Sequence, residues 1–171
     1  LPTCPMADPM DLIREVLRGD FVRQFRKYLT IQRKDGSLST GTPENIHQRR
    51  IAEAKRIAEE MGKPSRIIAL KPRQKGSSTG SVGIGYVDLK SRPLRGLIAG
   101  GAHFQGKNLF KILKVYADND KLDPKACKVM DMEGRFRNGS TMERITFATD
   151  SPGRSGTYQF MLVTEAALLA R

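Results

Sequence analysis

Hydrophobic positions recur at helical spacing through Leu12, Ile13, Val16, Leu17, Phe21, Val22, Phe25 and Leu29. This predicts a helical approach from Met10 to about Gln32, divided near Gly19, and Arg33 to Gly41 is then polar enough for a loop. Ile51, Ala54, Ala58 and Met61 form a second stripe, with Thr42 as expected N-cap, Pro43 in the first helical position, and Gly62 and Pro64 as the stop. The period then changes. Arg66 to Leu70 is a short apolar run that predicts a buried strand, and a Gly/Ser-rich stretch follows from Gln74 to Gly85, with a helix expected to end near Leu89. Arg95 to Ala99 predicts a strand, and Phe104 to Ala117 a helix through Leu109, Ile112, Leu113 and Tyr116. Asn138-Gly139 marks a hairpin between Val129–Phe136 and Met142–Thr149, and Tyr158 to Val163 is a last strand. Strands alternating with helices predict an α/β class with a mainly parallel sheet. Residues 1–42 form the helical approach and 43–171 the α/β domain.

Composition narrows the class. The chain has 171 residues, 39% hydrophobic and 28% charged, and reads as one globular domain. No apolar run approaches the roughly 20 residues that span a bilayer, and the first residues lack the layout of a signal peptide. Cys4 and Cys127 are too few for a disulfide framework or zinc site, which fits a reducing compartment. The net charge of +12 points to a polyanionic partner, nucleic acid first and nucleotide second. The DNA-facing cations are Arg135 and Arg137, the basic N-terminal helix, or neither, and the sequence does not choose among them.

The chemistry centres on Leu70-Lys71-Pro72-Arg73-Gln74-Lys75-Gly76-Ser77-Ser78-Thr79-Gly80. A strand leading through a glycine loop into a helix points successive N–H groups into one concavity, where a phosphate is held. Basic side chains neutralise the phosphates, and a hydroxyl at the helix start ligates Mg²⁺. The segment is not a standard Walker A motif, because Ser77 follows Gly76 where lysine is expected and Pro72 stands near the first glycine. Far downstream, Phe160-Met161-Leu162-Val163-Thr164-Glu165 is an apolar strand ending in a carboxylate, as in a Walker B element. There Glu165 would orient a water for attack on the γ-phosphate.

Lys71 to Thr79 resembles the deviant Walker A of phage terminase large subunits, with its Arg-Gln-x-Gly core followed by Ser-Thr. Pro152-Gly153-Arg154-Ser155-Gly156-Thr157 and the strand ending Thr164-Glu165-Ala166-Ala167 are similar to the family's Gly-Arg-Gly loop and Ser-Glu-x-Ala strand end. The resemblance runs from about Ile31 to Arg171. It implies a P-loop NTPase of three-layer α/β/α build that hydrolyses ATP with Mg²⁺ to drive double-stranded DNA into a procapsid. Arg73 then contacts phosphate, with Lys71, Gln74, Lys75, Gly76, Ser77, Ser78 and Thr79 completing the loop. Ser78 matches the Mg²⁺-binding hydroxyl, with Thr79 as alternative and Thr164 as a weaker ligand. Glu165 matches the catalytic glutamate, and Arg154 an arginine reaching a neighbouring subunit's nucleotide. Gln48, in Asn45-Ile46-His47-Gln48, resembles the family's adenine-reading glutamine. A portal protein, a small terminase subunit and a homo-oligomeric ring are the implied partners, in the cytoplasm of an infected or prophage-carrying bacterium. The sheet is expected to be incomplete at Arg171 and the nuclease domain absent, with an aggregation-prone edge at Tyr158–Val163.

Ser77 in place of lysine and Thr164 in place of aspartate depart from the family pattern. They favour one alternative, a non-catalytic DNA-binding module whose loop only grips phosphate; the other, a helicase-like P-loop translocase, lacks its Asp-Glu-x-[His/Asp] box at Thr164-Glu165-Ala166-Ala167. His47 and His103 lack a ligand pattern, and Asp118, Asp120 and Asp123 read as a solvated turn.

Overall fold

The computed structural model describes residues 20–69, 76–101, 103–146 and 157–164. Helix α1 (Phe21–Lys27) starts where the Asp20 carboxylate accepts from the Arg23 N–H at 3.0 Å. It ends well before Gln32. Strands β1 (Thr30–Gln32) and β2 (Leu38–Thr40) follow as an antiparallel hairpin. The helix and loop expected there are thus replaced by a ribbon. Its turn is set locally: the Asp35 carboxylate accepts from the Ser37 N–H, and Gly36 takes φ +84°.

Helix α2 (Ile46–Glu60) begins three residues later than Thr42 and Pro43 suggest. Asn45 caps it through a reciprocal capping box with Gln48, which satisfies two end N–H groups at once. Residues 63–69 form no strand, and Ile68 is 91% exposed, so the expected buried strand is not seen over 66–69. Leu70 lies outside the described residues.

Helix α3 (Ser77–Ser91) is the hub. Its sequence, rich in glycine and serine, is a poor helix former. Tertiary packing overrides that preference, for α3 contacts α1, α2, the sheet and the next helix, α4 (His103–Asp118). Close approach explains the glycines. A Cβ on Gly83 would meet the Phe21 ring at 2.7 Å, and one on Gly85 the Phe160 ring at 2.6 Å.

The sheet is mixed, ordered β4 (Cys127–Val129), β5 (Glu133–Phe136), β6 (Thr141–Thr146), β3 (Arg95–Gly100), β7 (Phe160–Thr164). β3 pairs parallel with β6 and β7, whereas β4, β5 and β6 are antiparallel neighbours. The hairpin expected at Asn138-Gly139 is β5–β6, with Gly139 at φ +88°. The chain is therefore α/β, with a parallel centre and an antiparallel flank. α3 and α4 cover the same face: Leu89 and Gly85 of α3 lie against Gly96, Met142 and Phe160, and Leu113 of α4 lies against Gly134. The opposite face carries Met161 and Val163 on β7, 57% and 38% exposed. The core joins Phe21, Phe25, Val82, Tyr86, Leu89, Ile98, Leu113, Tyr116 and Met142, all buried. Among the described residues no helix is long and apolar enough to cross a membrane.

Asp120 corrects the expectation of a solvated turn. Its carboxylate is fully buried, accepting from the Tyr86 hydroxyl at 2.8 Å and the Lys90 ammonium at 2.6 Å. Burial, and then the charge of Asp120, push the Tyr86 phenol above its ordinary range.

Candidate nucleotide-binding site

The loop enters α3 through Gly76, which takes the left-handed conformation at φ +67° that favours glycine. Among the described residues no side chain caps the helix behind it. As in any helix the N–H groups of Ser77, Ser78 and Thr79 lack intrahelical acceptors, and among the described residues no side chain meets the positive end of this 15-residue helix. Such an end favours an anion. The Ser77 hydroxyl is buried and bonds none of the described residues.

Two elements hold this corner. The Gln48 amide accepts from the Asn45 N–H at 2.9 Å and donates to the Gly76 carbonyl at 2.9 Å. Gly80 leaves room for the Gln48 stem: a Cβ there would lie 2.6 Å from Cγ. From the other side, the Tyr116 hydroxyl donates to the Thr79 carbonyl at 3.0 Å. Gln48 is 5% exposed, and its carbonyl is engaged by the cap of its own helix. Here it fastens the start of α2 to the loop.

Behind Asn45 stands Glu44, its side chain fully buried. Arg26 of α1 grips it with two bonds of 2.7 and 2.6 Å, and Arg49 of α2 adds one of 2.9 Å. Hydrogen bonding by Arg26 is the largest cause holding its carboxyl down to about 2, against the opposing cost of burial. The chain of contacts thus runs from α1 through Glu44 and the capping box to Gly76.

Thr164 closes β7, and its hydroxyl is buried without a partner among the described residues. Gly76, Ser77, Ser78, Thr79, Gln48 and Thr164 are thus seen, and the structure joins Gln48 directly to Gly76. Lys71, Arg73, Gln74, Lys75, Arg154 and Glu165 lie outside the described residues. Among the described residues no His, Cys, Asp and Glu gather into a metal cluster.

Sequence reasoning missed Glu44, Tyr116 and Arg144. Arg144 is 2% exposed and donates weakly to Asp131 at 3.3 Å, and two of its guanidinium nitrogens bond none of the described residues beside the Phe110 ring. The Asn45-x-x-Gln48 spacing, by contrast, is a readable capping-box signature. No protein-family model matches this chain, and no curated protein does.

Proposed function

We propose that this chain is the ATPase portion of a terminase-type viral DNA-packaging motor, hydrolysing ATP to move double-stranded DNA into a procapsid. One observation carries the reading: among the described residues, the start of α3, entered through left-handed Gly76, has no side-chain cap and borders a buried Ser77 hydroxyl with no partner. Burying a hydroxyl without a partner costs on the order of 1–3 kcal/mol, so a phosphate–metal ligand that bonds it offsets a standing cost. The order of motifs, from the loop at Lys71–Thr79 to the strand ending Thr164-Glu165, supports the same reading.

In this mechanism the α3 N–H groups receive phosphate oxygens, and Lys71, Arg73 and Lys75 neutralise them. Glu165 orients the attacking water, and Arg154 reaches the nucleotide of a neighbouring subunit in the ring. The hydroxyls of Ser77 and Thr164, which have no partner among the described residues, are oxygen donors of the kind a hard cation takes. Ser78 and these two would hold Mg²⁺, which supplies charge neutralisation between the phosphates when bound. Portal protein and small terminase subunit belong to the proposal through the resemblance alone, as does a bacterial cytoplasmic setting.

Mg-ATP titration calorimetry on the wild-type chain and Arg73→Ala tests this. Saturable binding that collapses in the variant is expected. If a folded wild-type chain binds no nucleotide, the ATPase reading fails, and the non-catalytic DNA-binding module takes its place. Ser77 and Thr164, standing where lysine and aspartate are usual, are the residues that favour that second reading.

A further inference from the structure

Helix α4 buries Leu109, Phe110, Leu113, Tyr116 and Ala117 and turns Lys107, Lys111 and Lys114 to solvent. Positions four and seven apart fall within about 60° of arc, so the three lysines form one row. The row is about 10 Å long at 1.5 Å per residue. Among the described residues none of the three has a carboxylate partner.

The arginines behave differently. The two candidate DNA-facing arginines of the β5–β6 hairpin are both committed: Arg135 pairs with Glu133 at 2.9 Å and Arg137 with Asp123 at 2.8 Å. On α2, Lys55 pairs with Glu59 and Asp88, and Arg56 with Glu60. Lys121, Lys125 and Lys128, on the loop and strand that follow α4, likewise have no carboxylate partner among the described residues, but α4 is the described helix that carries three such cations in one row.

We infer that the Lys107–Lys111–Lys114 row of α4 binds the phosphate backbone of duplex DNA. One strand of the duplex presents a phosphate every 3.4 Å or so of helix axis. Successive phosphates also turn about the duplex axis and so lie farther apart than that rise, and the flexible lysine stems, splaying from a row of about 10 Å, let each of the three cations reach its own phosphate. Lysine suits this task, because a mobile point charge contacts phosphate without demanding a base edge. An anionic membrane fits less well, since an interfacial helix offers a broad apolar face beside its lysines, whereas α4 spends Leu109, Phe110, Leu113 and Tyr116 in the core and exposes the single aromatic ring of Phe104. The inference deepens the proposed function by giving its DNA partner a surface, yet it does not need ATP hydrolysis to hold.

Fluorescence anisotropy with a mixed-sequence 30-base-pair duplex, across a salt series, provides the test on the full chain. The triple variant Lys107→Gln, Lys111→Gln, Lys114→Gln is compared with wild type and with a control triple, Arg50→Gln, Lys63→Gln, Arg66→Gln, whose residues are exposed and lie off α4. The row variant should flatten the slope of log affinity against log salt by about 2.7, that is 0.9 for each phosphate no longer neutralised. The control should leave the slope near the wild-type value. Equal losses in both triples overturn the inference, as does a wild-type chain that ignores the duplex or binds polyglutamate as tightly. Mg-ATP calorimetry on the row variant separates the two claims. Row-dependent DNA binding by a chain that ignores nucleotide leaves this inference standing and removes the ATPase reading. Nucleotide binding without row-dependent DNA binding does the reverse.

Discussion

At its C-terminal end, α3 closes on a network in which both oxygens of Asp120 are used. One accepts from Tyr86 and Lys90, the other from the N–H groups of Leu122 and Asp123. At its N-terminal end the same helix has an uncapped first turn and a buried serine hydroxyl with no partner among the described residues. A buried polar group is tolerated when bonded and costly when not. The closed end therefore stabilises the fold, and the open end holds polar groups that a ligand would satisfy. Substitutions at the two ends should separate stability from binding.

The largest effect belongs to the closed end. Asp120→Asn leaves the Lys90 ammonium, 5% exposed, without a counter-charge. Breaking a buried pair from one side costs about 3–5 kcal/mol, roughly 10 °C in Tm for a chain this size. Thermal unfolding followed by circular dichroism measures it. A loss below about 1 kcal/mol would mean that water reaches Lys90 and the network is not closed.

Glu44 anchors the open end from behind and comes next in size. Its carboxyl is held down to about 2, so the fold favours the ionised form. That stability is fully present above the unfolded value near 4.3 and is lost as pH falls through about 2. It is on the order of 3 kcal/mol. Urea unfolding between pH 6 and pH 2 should show the wild type losing this increment, and Glu44→Gln should be weaker at pH 6 with a flatter pH dependence. Parallel curves for the two proteins would contradict the assignment to Glu44.

Gly80→Ala acts at the joint itself. The new methyl would sit 2.6 Å from Gln48 Cγ, and Gln48 is tied at both ends. Overpacking of this kind costs about 1–3 kcal/mol. Because the displaced side chain carries Gly76, Mg-ATP affinity should fall as well. A variant that loses stability but titrates nucleotide like the wild type would uncouple Gln48 from the loop.

The helices legible in the sequence share one physical property, a side that faces water. α2 and α4 are amphipathic, so their stripes through Ile51 and through Leu109–Leu113 can be read directly. β3 and β7 stand out as apolar runs, and Asn138-Gly139 announces the β5–β6 turn. α3 is only partly legible, because it is buried nearly all round and built on glycine, so neither period nor propensity marks it. The β1–β2 ribbon is hidden by its length: three-residue strands show no alternation, although Asp35-Gly36 is a turn signal. At the site, the loop glycine and its hydroxyls are readable as motif. Glu44 and Tyr116 are not, because their roles depend on partners 18 and 37 positions away. The resemblance implies a base contact for Gln48, and the structure shows its amide donating to the Gly76 carbonyl.

The smallest expected change in stability is also the sharpest test of the comparison between the two ends. Ser77→Ala removes a buried hydroxyl that bonds nothing in the described structure. Deleting an unsatisfied group leaves no new orphan behind, and alanine is the better helix former, by a few tenths of a kcal/mol. Stability without nucleotide should therefore stay within about 0.5 kcal/mol of wild type or rise. With Mg-ATP the sign should reverse under the proposed function: a bound nucleotide would engage the hydroxyl, and the variant should bind about tenfold more weakly, the equivalent of one hydrogen bond near 1.4 kcal/mol. Thermal shifts with and without nucleotide read both halves in one experiment. A destabilised ligand-free variant would show that the hydroxyl already has a structural partner, and the open end of α3 would then be as closed as the end at Asp120.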